Sequence, residues 1–139
     1  RWQPALPPLQ GTRLNVSLTF YRRGAGRGPN SAPDGDTLIM GQRKIRIIGI
    51  DAPEAGDKAG CPEEAVAAEA AAEELLRLLK QGSFLLQPPQ DGLRDQYGRE
   101  LMTLTRTRAD GTTQDMAEDL IASGKVHRFD RGSPRGGWC

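Results

Sequence analysis

Asp34-Gly-Asp-Thr-Leu-Ile-Met-Gly-Gln-Arg-Lys-Ile-Arg-Ile-Ile-Gly-Ile-Asp-Ala-Pro-Glu54 is the stretch from which the rest of the chain can be read. Its aliphatic and β-branched residues form two short runs, Thr37–Met40 and Lys44–Ile50, on either side of Gly41-Gln42, a pattern that predicts a hairpin. The Asp34-Gly-Asp36 run ahead of it reads, taken alone, as a turn. Upstream, Leu14–Phe20 alternates apolar and polar residues, the period of a half-buried strand. Arg22–Asn30 is a loop by composition, flexible and basic, and its glycines do not form a dinucleotide fingerprint. Arg1–Gly11, with Pro4, Pro7 and Pro8, reads as an extended tail ahead of a domain spanning 12–139.

Downstream, Pro62–Lys80 is the clearest helix. A proline stands near its first position, Glu63 and Glu64 lie in its first turn, and Gly82 falls just past its end. Ala65, Ala68, Ala72, Leu75, Leu76 and Leu79 make its apolar stripe. Ser83–Gln87 and Arg99–Arg106 are strand-like, and Thr113–Ser123 is a second helix with Thr113 as candidate cap and Gly124 as its stop. The order is three strands, a helix, two strands and a helix, without regular alternation. It predicts an α+β fold, mainly β: a five-stranded OB-fold barrel with two main helices.

A length of 139 residues fits one domain, and 37% hydrophobic with 27% charged residues is an ordinary globular composition. No apolar run approaches the roughly 18 residues a membrane span requires. A net charge of +1 excludes the heavily basic class of nucleic-acid binder, but not a protein that handles nucleic acid at one concentrated site. The charge is uneven along the chain. Residues 1–50 hold eight Arg or Lys and only two acids, Asp34 and Asp36.

Asp36 and Asp51, brought together by the hairpin, would repel unless a cation lay between them. Hard oxygen ligands suit Ca²⁺ or Mg²⁺, and the sequence has no His or Cys cluster that would favour zinc. Glu54, three residues after Asp51, could reach a water in the metal's shell. Arg46 and Arg99 would each present a permanently charged fork able to grip a phosphate through two hydrogen bonds. Strict alternation sends Arg46 and Asp51 to opposite faces of one strand, so the reading needs a bulge or bend, and Gly49 is its natural place.

Together, Asp34-Gly-Asp-Thr37, Arg46-Ile-Ile-Gly-Ile-Asp-Ala-Pro-Glu54, Asp95-Gln-Tyr-Gly-Arg-Glu-Leu101 and the helix end at Leu120–Lys125 resemble the staphylococcal nuclease (thermonuclease) family, in order, from about Asp34 to Phe129. The resemblance implies an OB-fold, dependence on one calcium ion, and endonucleolytic cleavage of DNA and RNA leaving 3′-phosphates. Carried over by position, Asp36 and Asp51 look like the metal carboxylates, and Ala52 would offer its backbone carbonyl. Glu54 looks like the residue that orients or deprotonates the attacking water. Arg46 and Arg99 look like the phosphate and transition-state clamps, and Tyr97 like an aromatic substrate contact. Gln96 stands where the family's prototype has a lysine, and the prototype's tyrosine pair after the last helix is missing. Phe129 is a candidate stacking residue there, with a plain core role as the alternative.

Cys61 and Cys139 are the only cysteines. A bridge between them would pin the short Gly-Gly-Trp-Cys tail, as in exported bacterial members that the chain resembles; two free thiols are the other reading. With a bridge and a start at Arg1, a secreted or periplasmic protein with its leader removed is expected, as a monomer. His127, the sole histidine, reads as a surface residue. The competing functional readings are a non-catalytic OB-type module that binds nucleic acid or protein, and a calcium-stabilised structural domain.

Overall fold

The computed structural model describes residues 14–22, 30–89, 98–129 and 137–139. Ten strands and two α-helices follow one another as β1 Leu14–Val16, β2 Tyr21–Arg22, β3 Asn30–Asp34, β4 Thr37–Met40, β5 Arg43–Ile47, β6 Ile50–Asp51, α1 Pro62–Leu79, β7 Phe84–Gln87, β8 Glu100–Thr107, β9 Thr113–Asp115, α2 Met116–Ala122 and β10 His127–Arg128. The main sheet runs β1-β7-β8-β5-β4-β3-β2, with β9 added on β8, and β6 pairs separately with β10. Pairing is antiparallel except between β5 and β8 and between β2 and β3. The result is an α+β fold, mainly strands, in which a curled half-barrel sheet carries two helices. Its path begins and ends on β1 and β2, which are separated only by residues 17–20. No ladder among the described residues joins those two edges, so the barrel is open. No helix among these residues is long and apolar enough to cross a membrane.

The alternation that marks β4, β5 and β8 as strands delivers Leu38, Ile45, Ile47, Met102 and Leu104 to one core, all essentially without solvent exposure. Phe20 and Phe84 add an aromatic pair with centroids 5.9 Å apart. Helix α1 covers this core with Ala68, Ala71, Ala72, Leu75, Leu78 and Leu79. Its first turn is capped by the Cys61 sulfur, which accepts a hydrogen bond from the Glu64 N–H. At its other end, Arg106 donates to the carbonyl of Leu78 in the last turn and to those of Gly82 and Ser83 just beyond the helix. Burial of that guanidinium pushes its pKa below the usual arginine value.

The strand count exceeds the expected five for identifiable reasons. Asn30 closes the stretch read as a loop and Asp34 opens the one read as a turn, and Asn, Pro and Asp are poor strand formers, yet Asn30–Asp34 pairs with β4. Its register shifts between Ser31 and Asp34, where Pro33 has no N–H to give. The single strand expected at Lys44–Ile50 breaks at Ile48-Gly49, with Gly49 at φ 89°. The second helix begins at Met116, three residues later than expected. Its cap is Asp115, which accepts from the Ala117 N–H, and Thr113 instead pairs with Thr107 in the β8–β9 ladder. The proline-rich segment 1–11 lies outside the described residues.

The hairpin turn at Gly35 lies directly on α1. A Cβ at Gly35 would stand 2.6 Å from the Ala71 Cβ and 3.2 Å from the Ala52 Cβ. Gly35→Ala should therefore cost about 1–3 kcal/mol by overpacking. Ala71→Gly in the same chain should recover part of that loss despite its own helix penalty of about 1 kcal/mol. Urea unfolding of the two single variants and the double variant checks this; strictly additive losses would contradict the contact.

Candidate functional site

Asp36 is the centre of the arrangement. The β3–β4 hairpin places it in the turn just before Thr37, and the residue is almost wholly buried, at 8% exposure. Burial of a carboxylate demands compensation, and three neighbours supply it. Thr37 Oγ1 donates to Oδ1 at 2.9 Å, the Ala52 N–H donates to Oδ2 at 3.2 Å, and Arg46 Nη2 lies 3.5 Å from Oδ2. Asp36 is also tied through its backbone, its carbonyl accepting the Ile47 N–H at 2.9 Å.

Arg46 reaches this carboxylate because the chain bends where it does. Its guanidinium spans the Ile48-Gly49 turn, donating from Nη1 to the Ile47 carbonyl at 2.6 Å and from Nη2 to the Ile50 carbonyl at 2.7 Å. The turn thus ends β5 and starts β6 two residues later, instead of carrying one regular strand through to Asp51. Arg99 arrives from the start of β8, 62 residues further along the chain than Thr37. Its Nη1 donates to Thr37 Oγ1 at 3.1 Å, so one hydroxyl connects it to Asp36. One guanidinium therefore lies against the buried carboxylate, and a second, just ahead of β8, reaches the hydroxyl bonded to it.

Asp51 closes β6 and is 6% exposed. The Asp36 side chain is bonded to the very next residue, Ala52, so the two aspartates belong to one locality. The contact that Ala52 makes there is through its N–H. Glu54, two residues on, is half-buried on the exit loop, and its N–H donates to Glu64 Oε2 at 2.8 Å. Tyr97 and Gln96 lie outside the described residues. Phe129 is half-buried and donates its N–H to the Gly49 carbonyl at 2.9 Å, closing β10 over the bend.

His127, expected at the surface, is half-buried. It is the cross-strand partner of Asp51, and its ring stacks on Trp138 with centroids 3.9 Å apart and planes at 32°. Residues directly opposite in an antiparallel pair share a face, so the imidazole flanks the Asp51 side chain. The neighbouring Arg128 forms a two-pronged pair with Glu118, at 2.8 Å for each contact, which ties β10 to α2 and holds the Glu118 carboxyl below the usual carboxylate range. Trp138 is carried by the tail that Cys139 attaches to Cys61 through a disulfide, with the two Cα atoms 5.9 Å apart.

Among the described residues, no three or more His, Cys, Asp or Glu side chains gather into a metal cluster. A cation here would rely on the Asp36 and Asp51 carboxylates, backbone carbonyls and water. That donor set is all oxygen and fits calcium, which tolerates irregular shells with several waters, better than a metal needing nitrogen or sulfur ligands.

Sequence reasoning missed one residue of this neighbourhood, Glu64. Treated as an ordinary first-turn acid, it is in fact buried, with 8% exposure. The signal was present: 64, 68, 71, 75 and 78 recur at helical spacing, so an acid at 64 is in phase with the buried stripe.

No protein-family model matches the chain, and no curated protein matches its sequence.

The bridge closes a loop of 78 residues, for which chain entropy gives about 4 kcal/mol of stabilisation. Cys139→Ser should lower the unfolding free energy by about that much. It should also release Trp138, so that the His127 ring protons lose the ring-current shift seen by NMR. Two free thiols in the denatured, unreduced wild-type chain would contradict the bridge.

Proposed function

We propose that the chain is a calcium-dependent endonuclease of the staphylococcal nuclease type, hydrolysing phosphodiester bonds of DNA and RNA, with its curled sheet corresponding to the family's OB barrel. The observation that carries this reading is that Arg46 lies against Asp36 while Arg99 reaches the Thr37 hydroxyl bonded to it, beside the Asp51–Glu54 exit loop. Phosphodiester hydrolysis adds negative charge around phosphorus, and prearranged cationic forks answer that charge where it develops. Turn and core packing alone do not require one arginine at a buried acid and a second at the hydroxyl bonded to it.

In this mechanism Arg46 and Arg99 hold the non-bridging oxygens of the scissile phosphate and stabilise the charge that grows on them. Glu54 accepts a proton from a water aligned with the P–O5′ bond. The water oxygen bonds to phosphorus, the P–O5′ bond breaks, and the 5′-oxygen takes a proton from solvent, leaving a 3′-phosphate. Calcium, held by Asp36, Asp51 and the Ala52 carbonyl, would supply positive charge at the phosphate. Tyr97 and Phe129 are the substrate contacts in this reading. The disulfide suits an oxidising compartment, consistent with a secreted or periplasmic monomer.

The test is a gel assay on single-stranded DNA and on RNA, with calcium and then with chelator. Fragments that form only with calcium are expected. Arg99→Ala and Glu54→Ala should each lower cleavage by about a hundredfold or more with an unchanged circular-dichroism spectrum. Calcium should also raise the melting temperature of the wild type by binding the folded state, and Asp36→Ala should remove that shift. A retarded but uncut band would identify a binding module instead, and wild-type rates from either catalytic variant would overturn the residue assignments.

A further inference from the structure

The helix start at Cys61-Pro-Glu-Glu64 has the spacing of a capping box, in which an acid at the third helical position normally returns its carboxylate to the N–H of the cap residue. Glu64 does something else. Its Oε1 accepts the N–H of Gly60, one residue before the cap, at 2.8 Å, and its Oε2 accepts the N–H of Glu54 at 2.8 Å. One buried carboxylate thereby ties together both ends of the loop 54–60. Within that loop, the Lys58 N–H to Ala55 carbonyl and Ala59 N–H to Gly56 carbonyl bonds form only a single tight turn. The space beside Gly60 is filled by the same group and by the bridge, since a Cβ there would meet Glu64 Oε1 at 3.3 Å and Cys139 Sγ at 3.5 Å.

The position is costly for an acid. Glu64 continues the buried stripe of α1, where the following residues are Ala68, Ala71, Leu75 and Leu78, and an unpaired charge there would be strongly disfavoured. Two charge-assisted bonds to loop amides compensate it, and a carboxylate in the first turn also suits the helix dipole. What these bonds fix is the backbone at residue 54, the origin of the side chain to which the hydrolytic reading assigns the water.

We propose that Glu64 is a positioning residue: it sets the height and orientation of Glu54 over the Asp36–Asp51 locality, so that catalytic turnover, not substrate affinity, depends on it. The inference rests on the nuclease reading and adds to it a residue that touches neither substrate nor ion. A displacement of about 1 Å in a reacting group can cost a hundredfold in rate.

Steady-state cleavage of an oligonucleotide with calcium, combined with amide hydrogen exchange, tests this on the full chain. Glu64→Ala should lower kcat by about ten- to a hundredfold while KM stays within about threefold, and the Glu54 and Gly60 amides should exchange faster while those of Leu38 and Ile45 do not. Glu64→Gln keeps the volume and one acceptor oxygen, so it should retain the fold and fall between the wild type and Glu64→Ala; it decides the matter if Glu64→Ala does not fold. An active wild type with unchanged kcat in the variants would overturn the positioning role alone. A kcat loss without faster exchange at Glu54 would overturn it as well. A wild-type chain that does not cleave would overturn the nuclease reading itself.

Discussion

A carboxylate that is almost entirely removed from water sits at the middle of this structure, and the surrounding chain is arranged to make that tolerable. Asp36 is held by a hydroxyl, a backbone N–H and a guanidinium drawn from three separate places: its own hairpin, the exit from β6 and the end of β5. Losing any one of these would leave part of a buried charge uncompensated, at a cost of several kcal/mol for a full ion pair. The bend at Gly49 is what allows it. Without that turn, Arg46 and Asp51 would diverge across the two faces of a strand. The packing of Gly35 against Ala71 has the same consequence from the other side, because it sets how closely the hairpin approaches α1.

A second layer of constraint comes from the start of α1. Cys61 is at once the helix cap and the anchor of the C-terminal tail, and Glu64 one turn later braces the loop that carries Glu54. The tail in turn lays Trp138 on His127, the cross-strand neighbour of Asp51. The helix start, the tail and the β6–β10 ladder therefore form one mechanical unit around the exit loop. Covalent and polar restraints supplement the hydrophobic core in a chain with only seven aromatic residues.

Much of this was legible in the sequence, because the deciding features are local. Alternation in Thr37–Met40 and Lys44–Ile47, proline followed by two acids at the start of α1, and the glycine at position 49 each carry a physical meaning that short-range reading captures. Asp36 stood out because acids are scarce in residues 1–50, and the arginines because they fall within ordered motifs that resemble a known family. What escaped reading depends on tertiary context. Asn30–Asp34 becomes a strand because β4 offers it a partner, not because of its own propensity. Thr113 is drawn into pairing with β8 instead of capping α2, since Asp115 offers a better placed acceptor. His127 is covered by a residue eleven positions away, and the bond of Glu64 to Glu54 reaches back ten. No periodicity announces either contact.

The role proposed for this cluster is to direct water to phosphorus. Digestion of a short thymidine oligonucleotide in ¹⁸O-labelled water, with calcium present and products analysed by mass spectrometry, tests it most directly. One ¹⁸O atom is expected in each newly formed 3′-phosphate and none at the 5′-hydroxyl. An intact oligonucleotide, or label appearing on a 5′-phosphate, would contradict it.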